Sequence, residues 1–202
     1  MKKLSLLFVS MALITFVSCK NKNNPDKLND SDVTETEMQE HEQEALESDE
    51  GKTVHVQMDA KSDSNVQGEV SFTQEGNGKV KLEAAFSGLN PDKKHAIHLH
   101  ENADCSADDA SSAGGHWNPT DDQHGKWKDS DGYHLGDIGN LKADENGNAT
   151  ISFETDKWCI DCDDSDKNIV GRSVVLHADE DDFKSQPAGD AGDRISCGEI
   201  KN

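Results

Sequence analysis

Basic residues are few in this sequence. Lys and Arg number 20 against 41 Asp and Glu in 202 residues, and the formal net charge is −21. Proteins that bind nucleic acid by neutralising its phosphates carry a basic surface. The charge balance therefore excludes that class of function and predicts no nucleic-acid partner.

Apolar residues are also few. Hydrophobic residues make up 32% of the chain and aromatic residues 5%, with a single Tyr. So few apolar side chains cannot fill a core along the whole chain, and part of it is expected to lie outside the packed domain. The one long apolar run, Leu4 to Val17, is shorter than the roughly 20 residues that a transmembrane helix needs.

That apolar run has the form of an export signal, since the basic stretch Met1 to Lys3 precedes it and the small residue Ser18 ends it. Cys19 follows directly, and the arrangement resembles the signal of bacterial lipoproteins. The resemblance implies that residues 1–18 are cleaved off and that the Cys19 sulfur carries a lipid. Phe16 stands where the lipoprotein pattern prefers Leu, which leaves ordinary secretion without a lipid as the alternative.

Residues 19–51 have the composition of an acidic, flexible tether. The stretch 26–51 holds eleven Asp and Glu, and Met38, Ala45 and Leu46 form no continuous apolar stripe. Like charges repel one another and extend such a segment. Lys20 stands where an acidic residue commonly retains lipoproteins at the inner membrane. We therefore expect a cell-envelope location, periplasmic or surface-facing, with the outer membrane favoured.

A different pattern begins at Lys52, where short segments of alternating apolar and polar residues are separated by turn residues. The segments are TVHVQMD, VQGEVSF, KVKLEAAF, HAIHLH, IGNLKAD, NATISF, GRSVVLH and RISCGEI. The turn sequences GNG at 76–78 and NG at 146–147 predict hairpins, because Asn-Gly accepts positive φ angles. The pattern predicts one all-β domain over 52–202, an antiparallel sandwich or barrel with two long functional loops, before IGNL and before RISC.

Six of the nine histidines fall in or beside those loops. They are His98 and His100 on one strand, His116, His124 and His134 in the first loop, and His177 at the end of a later strand. Residues two apart on a strand share a face, so His98 and His100 present their imidazoles side by side while Leu99 points the other way. Imidazole suits copper and zinc, and a carboxylate is an ordinary further ligand of zinc. The histidines therefore predict a metal site.

Segments spread over residues 52–202 resemble, in order, the signature segments of the copper-zinc superoxide dismutases. They are HLHENADC, SSAGGHWNP, the following His124, HLGDIGNL, GRSVVLHADEDD and DAGDRISCGEI. The resemblance implies an eight-stranded Greek-key β-barrel whose long loops hold one copper and one zinc per subunit. It implies an antioxidant enzyme that converts superoxide to dioxygen and hydrogen peroxide by alternate reduction and oxidation of copper. The sequence leaves both a monomer and a homodimer open.

The resemblance also assigns the metal ligands. Copper is assigned to His98, His100, His116 and His177, and zinc to His116, His124, His134 and Asp137. His116 would thus bridge the two ions, and an imidazole can lose both protons near neutral pH when two cations share the ring. The closed zinc site would be structural, whereas copper must keep a face open to substrate.

Further residues are assigned around the metals by the same resemblance. Arg194 matches the arginine beside copper, where a guanidinium suits the guidance and docking of a small anion. His116 would be the second catalytic residue, as the proton donor. Asp181 matches the aspartate that links a copper histidine to a zinc histidine, with Asp179 or Asp182 as the alternative if the register differs.

The cysteines suit an oxidising compartment. Cys105 and Cys197 match the disulfide that the family forms within a subunit. Cys159 and Cys162 remain, in WCIDCDD between two strands. A small loop disulfide is favoured there, because a redox-active dithiol normally sits at a helix N-terminus; a copper-relay dithiol is the alternative.

The sequence therefore leaves two hypotheses for the function. The first is a superoxide dismutase anchored outside the cytoplasmic membrane, and the second is a copper-binding or copper-delivering lipoprotein on the same fold. The complete ligand set and Arg194 favour the enzyme. Residues 52–202 carry 30 Asp and Glu against 15 Lys and Arg. Because exposed charges are screened over about 8 Å at physiological salt, Arg194, Lys184 and the metals are expected to attract the anionic substrate locally.

Overall fold

The computed structural model describes residues 51–202, and these form eight β-strands and one short 3₁₀ turn. The strands are β1 (Thr53–Ala60), β2 (Gln67–Gln74), β3 (Val80–Ser87), β4 (Lys94–His100), β5 (Asp137–Lys142), β6 (Ala149–Thr155), β7 (Ser173–His177) and β8 (Arg194–Glu199), and the 3₁₀ turn is Ser111–Ala113. The predicted export signal, Cys19 and the rest of the tether up to residue 50 lie outside the described residues. Within 51–202, no helix is long and apolar enough to cross a membrane.

The strands form one antiparallel sheet that curls into a nearly closed barrel. Its hydrogen-bonded order is β5-β4-β7-β8-β1-β2-β3-β6, so strands distant in sequence pair at β4–β7 and β8–β1. β5 and β6, at the two ends of this order, approach each other where the sheet closes on itself. The predicted eight-stranded all-β barrel is confirmed.

Alternation along the strands places the core inside the barrel. In β1, Val54, Val56 and Met58 are buried, whereas the residues between them, His55 included, are exposed. Buried side chains from seven of the eight strands form one cluster with Trp158 of the β6–β7 loop, and the partly buried Ile195 of β8 packs against it. Each fully buried apolar side chain contributes on the order of 1.5–3 kcal/mol to folding. The apolar residues that alternate along the sequence are thus the ones that point into the core.

One of the two predicted hairpins is confirmed and the other is wrong. The turn at 76–78 joins β2 and β3, which pair with each other over their whole length. The turn at 146–147 also forms, with Gly147 at φ +77° and its N–H donating to the Asp144 carbonyl at 3.1 Å. The strands on either side of it pair elsewhere, β5 with β4 and β6 with β3. A turn sequence determines how the chain reverses locally, but it does not determine which strands pair. β5 and β6 are the two edge strands of the sheet, so the gap in the nearly closed barrel lies between them.

Two long loops, 101–136 and 178–193, cover the outer side of β4 and β7. A disulfide from Cys105 to Cys197 ties the first loop to β8, and Cys105 packs there against a small buried group that includes Ala110 and Val175. Because the loops cover it, β4 is buried on both faces after its first residue. The polar residues of these strands therefore lie in a closed environment between loop and barrel.

Candidate metal centre

β4 and β7 carry the strand histidines. His98 and His100 are 0% and 1% exposed on the loop-covered face of β4, while Leu99 packs in the barrel core, as predicted. The ladder of β4 with β5 shifts register at His98, and that of β7 with β8 shifts at His177. Such irregularities re-aim side chains. Both occur at histidines that face the loops.

The structure brings the seven predicted ligands together in two groups. One group is His98, His100, His116 and His177, and the other is His116, His124, His134 and Asp137. Within each group the potential ligand atoms lie within 4.8 Å of one another, and all seven residues are buried. His116 belongs to both groups, which is the arrangement that a bridging imidazole requires.

The free ring nitrogens test whether metal ions fit these groups. Each of the six histidines leaves one buried nitrogen without a hydrogen-bond partner: Nδ1 of His98, His124 and His134, and Nε2 of His100, His116 and His177. A buried polar atom left without a partner costs about 1–3 kcal/mol. Imidazole nitrogens with one carboxylate are donors that copper and zinc accept. The residues present therefore fit a copper and a zinc ion.

Asp181 fixes one histidine from each group. Its Oδ2 lies 2.9 Å from His98 Nε2, and its Oδ1 lies 2.9 Å from His124 Nε2. An ionised carboxylate only accepts hydrogen bonds, so both Nε2 atoms carry a proton, and Nδ1 is the nitrogen of each ring that is left to bind a metal ion. This buried aspartate thus sets the tautomer and the ring orientation on both sides.

The two alternatives considered for Asp181 are engaged elsewhere. The Asp182 carboxylate accepts hydrogen bonds from Ser185, including its hydroxyl at 2.6 Å. Asp179 forms an exposed ion pair with Lys93 at 2.7 Å. The position between the two histidine groups therefore belongs to Asp181.

Main-chain carbonyls orient the remaining copper-side histidines. His100 Nδ1 donates to the Gly114 carbonyl at 3.0 Å, and His177 Nδ1 donates to the Gly192 carbonyl at 3.4 Å. Each of these bonds directs Nε2 into the site. His95, also buried, donates from Nδ1 to the His177 carbonyl at 2.9 Å and so holds the end of β7 against β4.

Asp137 lies at the centre of the zinc-side group. Its carboxylate oxygens lie 2.9 Å from His116 Nδ1, 3.0 Å from His124 Nδ1 and 3.3 Å from His134 Nδ1. The contacts to His124 and His134 are close but lack hydrogen-bond alignment. The His134 and Gly125 N–H groups donate to Oδ2 at 2.8 and 3.2 Å. Short distances without hydrogen-bond alignment are expected where several ligand atoms point toward the position of one metal ion instead of toward one another.

Three of the copper-side imidazoles, those of His100, His116 and His177, are neutral in the metal-free chain. Burial, reinforced by His98, lowers the pKa of His116 to about 4, although Asp137 acts in the opposite direction. Burial also holds the pKa values of His100 and His177 well below the ordinary value. Metal ions bind deprotonated ligands. These rings are therefore ready to bind at neutral pH without losing a proton first.

The zinc-side group, unlike the three neutral copper-side histidines, contains charged side chains. Burial alone would lower the pKa of His124, but its close contacts with the carboxylates of Asp137 and Asp181 outweigh burial and raise that pKa to about 9. Burial opposes ionisation of both carboxyls, yet hydrogen bonds from histidines hold the pKa values of Asp137 and Asp181 well below the usual range. Both stay ionised, so a cation bound among these residues replaces the proton of His124.

Arg194 lies at the start of β8, beside the copper-side group. Its Nη1 donates to the Ala110 carbonyl at 2.7 Å and its Nη2 to the Gly114 carbonyl at 2.8 Å. The Gly114 carbonyl also accepts the hydrogen bond from His100. Burial lowers the pKa of Arg194, opposed by the charge of Asp109, but a guanidinium remains charged at neutral pH. The positive charge of Arg194 and the copper-side His100 are thus held by the same main-chain carbonyl, that of Gly114.

Three further residues support the site and were not predicted from the sequence. Gln186 holds His124 from both sides, accepting its N–H at 2.9 Å and donating to its carbonyl at 2.8 Å. Asn140 does the same for Asp181, at 2.8 and 2.9 Å. Gly189 passes so close to Asp181 that no Cβ fits. Neither amide nor glycine carries a spacing signal, so only the folded loops disclose these roles.

Residues 66–200 match the family described as copper/zinc superoxide dismutase. The chain belongs to this family. It is 42% identical over 143 residues to a Cu-Zn superoxide dismutase of Paramecium bursaria Chlorella virus 1, covering 67% of this chain and 72% of that protein. It is 36% identical over 148 residues to Cu-Zn superoxide dismutase 2 of Aquifex aeolicus, covering 68% and 82%.

Solved structures share the barrel. The clock protein EA4 superimposes with a TM-score of 0.65 at 32% identity, covering 75% of this chain and 95% of that one. A double mutant of a SOD-like protein from Bacillus subtilis superimposes with a TM-score of 0.66 at 28% identity, covering 73% and 97%. With both ligand groups complete, the chain is a copper-zinc superoxide dismutase homologue, an oxidoreductase with copper and zinc sites.

Two disulfides indicate the compartment. Cys105 is bonded to Cys197, and Cys159 is bonded to Cys162, the form favoured from the sequence. Disulfides form and persist in oxidising surroundings and are rare in the cytosol. The described domain therefore belongs outside the cytoplasm.

Proposed function

We propose that this chain converts superoxide to dioxygen and hydrogen peroxide in the cell envelope. The observation that carries the proposal is that His116 is shared between two complete ligand groups, with Arg194 beside the copper-side group. Copper, when bound, supplies the one-electron exchange that oxidises one superoxide and reduces the next. The protein supplies the anion site, the fixed geometry and one of the two protons.

His116 is suited to deliver that proton. Its Nδ1 faces Asp137 on the zinc side, and its buried Nε2 has no protein partner on the copper side. In the first half-reaction Nε2 takes up a proton, and in the second it donates this proton to the departing peroxide, while water gives the other. The zinc-side ligands keep Nδ1 in place throughout. The proton is therefore always presented from one position.

Arg194 and Asp181 are proposed to act around that step. Arg194 attracts and docks the superoxide anion, since its guanidinium is charged, partly exposed and held by two carbonyls. Asp181 keeps His98 and His124 in fixed orientations, so that the two ligand groups stay aligned across His116.

The experiment is superoxide decay in the presence of the full-length chain carrying one copper and one zinc, with the chelator-treated protein as control. We expect rapid decay with the metal-loaded protein and none above background with the control. A metal-loaded protein that leaves decay unchanged would reject the enzyme and favour the copper-carrier alternative.

The organisation of the rest of the chain is part of the proposal. Residues 1–18 are the signal, Cys19 carries the lipid, 19–51 is the tether and 52–202 the enzyme domain, at the outer membrane. Labelling of cells with a palmitate analogue should mark the protein, and Cys19→Ala should lose both the label and the membrane fraction. If the wild-type protein takes no label, it is secreted without an anchor.

A further inference from the structure

A carboxylate is held next to the anchor of Arg194. Arg194 Nη1 donates to the Ala110 carbonyl, and Asp109 is the residue directly before Ala110. Asp109 is exposed, and its Oδ1 accepts the N–H of Ser111 at 2.9 Å, at the start of the 3₁₀ turn. This bond fixes where the side chain stands. A negative charge therefore has a defined place beside the proposed substrate-docking arginine.

The two charges act on each other. The hydrogen bond with Ser111 lowers the pKa of Asp109, and the charge of Arg194 lowers it further. In return, Asp109 opposes the effect of burial on the pKa of Arg194. Lys184, expected to assist Arg194, lines a crevice with Lys126 and His124 on the zinc side. An anion approaching Arg194 thus meets attraction and repulsion together.

We propose that Asp109 limits the capture of small anions at the copper-side group by opposing the field of Arg194. The inference rests on the proposed function. The carboxylate lowers the rate at which superoxide is captured, and it also weakens the binding of other monovalent anions at the same position. A unit charge about 10 Å from a univalent anion in water changes the encounter rate about twofold, and salt screens the effect. Asp109 thus lowers the rate of superoxide capture and in return weakens the binding of competing anions.

Asp109→Asn is the test variant, because asparagine keeps the side-chain oxygen that accepts the Ser111 N–H and loses only the charge. Asp104→Asn is the matched control. Asp104 is exposed in the same loop and its Oδ1 accepts the Ser106 N–H at 2.9 Å, but the cation that acts on it is Lys201. Both variants change the net charge by the same amount, so any difference between them reports position.

Two measurements on the copper- and zinc-loaded full chain decide the inference. The first is the second-order rate constant for superoxide decay against ionic strength, and the second is an optical titration with azide, a monovalent anion. At low ionic strength we expect Asp109→Asn to raise the rate constant and to lower the azide dissociation constant, each about twofold, while Asp104→Asn matches wild type. Near 1 M salt, where the Debye length is about 3 Å, all three proteins should converge.

The inference fails if Asp109→Asn and Asp104→Asn behave alike at low ionic strength, or if the gain of Asp109→Asn persists undiminished at high salt. The azide titration needs no turnover. A wild-type protein that binds azide but does not accelerate superoxide decay would refute the proposed function, and the titration would still decide the role of Asp109.

Discussion

Gly189 lies where the second long loop passes over the Asp181 carboxylate. A Cβ atom added to Gly189 would stand 1.9 Å from Asp181 Oδ1 and 2.7 Å from His124 Nε2. The residue also has φ +68°, which disfavours any other side chain. Because Asp181 orients both His98 and His124, the absence of a side chain at this one position is a condition for the link between the two ligand groups.

Gly189→Ala should therefore weaken zinc binding, by about 10–100-fold as for other losses of a residue that orients metal ligands. Gly78→Ala is the matched control, since Gly78 has φ +83° and no atom within 4 Å of an added Cβ. Competition of the purified proteins with a chromogenic chelator measures the zinc affinities. Equal zinc affinities for the two variants would contradict a role for the contact between residue 189 and Asp181.

His116→Ala should abolish dismutase activity and leave weakened zinc binding. The zinc-side group keeps His124, His134 and Asp137, whereas the copper-side group loses a ligand and the proposed proton donor. His55→Ala, on the exposed face of β1, serves as the control and should retain both properties. Metal analysis paired with superoxide decay checks the prediction, and substantial activity in His116→Ala would remove the bridge from the mechanism.

The metal-free chain should lose stability as the pH falls from about 6.5 to about 4. Burial lowers the folded-state pKa of His116 to about 4 and holds those of His100 and His177 well below the ordinary value. The unfolded chain binds protons on these rings below about pH 6.5, and the folded chain does not, so acid favours unfolding over this window. His124, with its pKa raised to about 9, contributes stability that is already complete below about pH 6.5.

Urea unfolding of chelator-treated protein at pH 7 and pH 4.5 measures this effect. We expect a lower midpoint at pH 4.5. A midpoint that stays constant or rises on acidification would mean that these histidines are not held neutral by burial.

Among the secondary-structure elements, the strands could be predicted and their partners could not. The alternation in TVHVQMD predicts β1 to within one residue, because one face of the strand is buried and the apolar residues therefore recur at every second position. The sequence at 146–147 also predicts its turn, but the pairing of the flanking strands depends on where the barrel opens, which no local pattern carries. The same holds for Gln186 and Asn140, whose partners come from other loops.

The first loop depends on its disulfide more than the β6–β7 loop does. Cys105 and Cys197 are 92 residues apart, and Cys159 and Cys162 are 3 apart. Longer closed loops lose more chain entropy on cross-linking, and loss of a native disulfide costs about 2–5 kcal/mol. Replacing the first pair by Ser should therefore destabilise the protein more, and should also lower activity because that loop anchors Arg194.

Chemical denaturation and superoxide decay of the two double serine variants provide the comparison. Similar stability losses, or an activity loss confined to the variant at 159 and 162, would contradict this account of the loops.

At the scale of the whole molecule, the acidic composition disfavours any anionic partner, nucleic acid and superoxide alike, unless local groups oppose the net charge. Removal of residues 1–18 would take away Lys2 and Lys3 and change the net charge from −21 to −23. Exposed charges are screened within about 8 Å at physiological salt, so distant acids matter less than groups beside the site. Arg194 and Asp109, held in one small region by Ala110 and Ser111, are such groups.

The central claim is that the chain turns superoxide over, with His116 returning the site to its starting state after each pair of encounters. Repeated small pulses of superoxide delivered to one sample of the copper- and zinc-loaded full chain test this directly. We predict the same decay rate in every pulse, long after the superoxide consumed exceeds the copper present, with dioxygen and peroxide formed in equal amounts. Acceleration that ends after one superoxide per copper, with decay then falling to the rate of the chelator-treated protein, would contradict the account and identify a copper-binding protein without turnover.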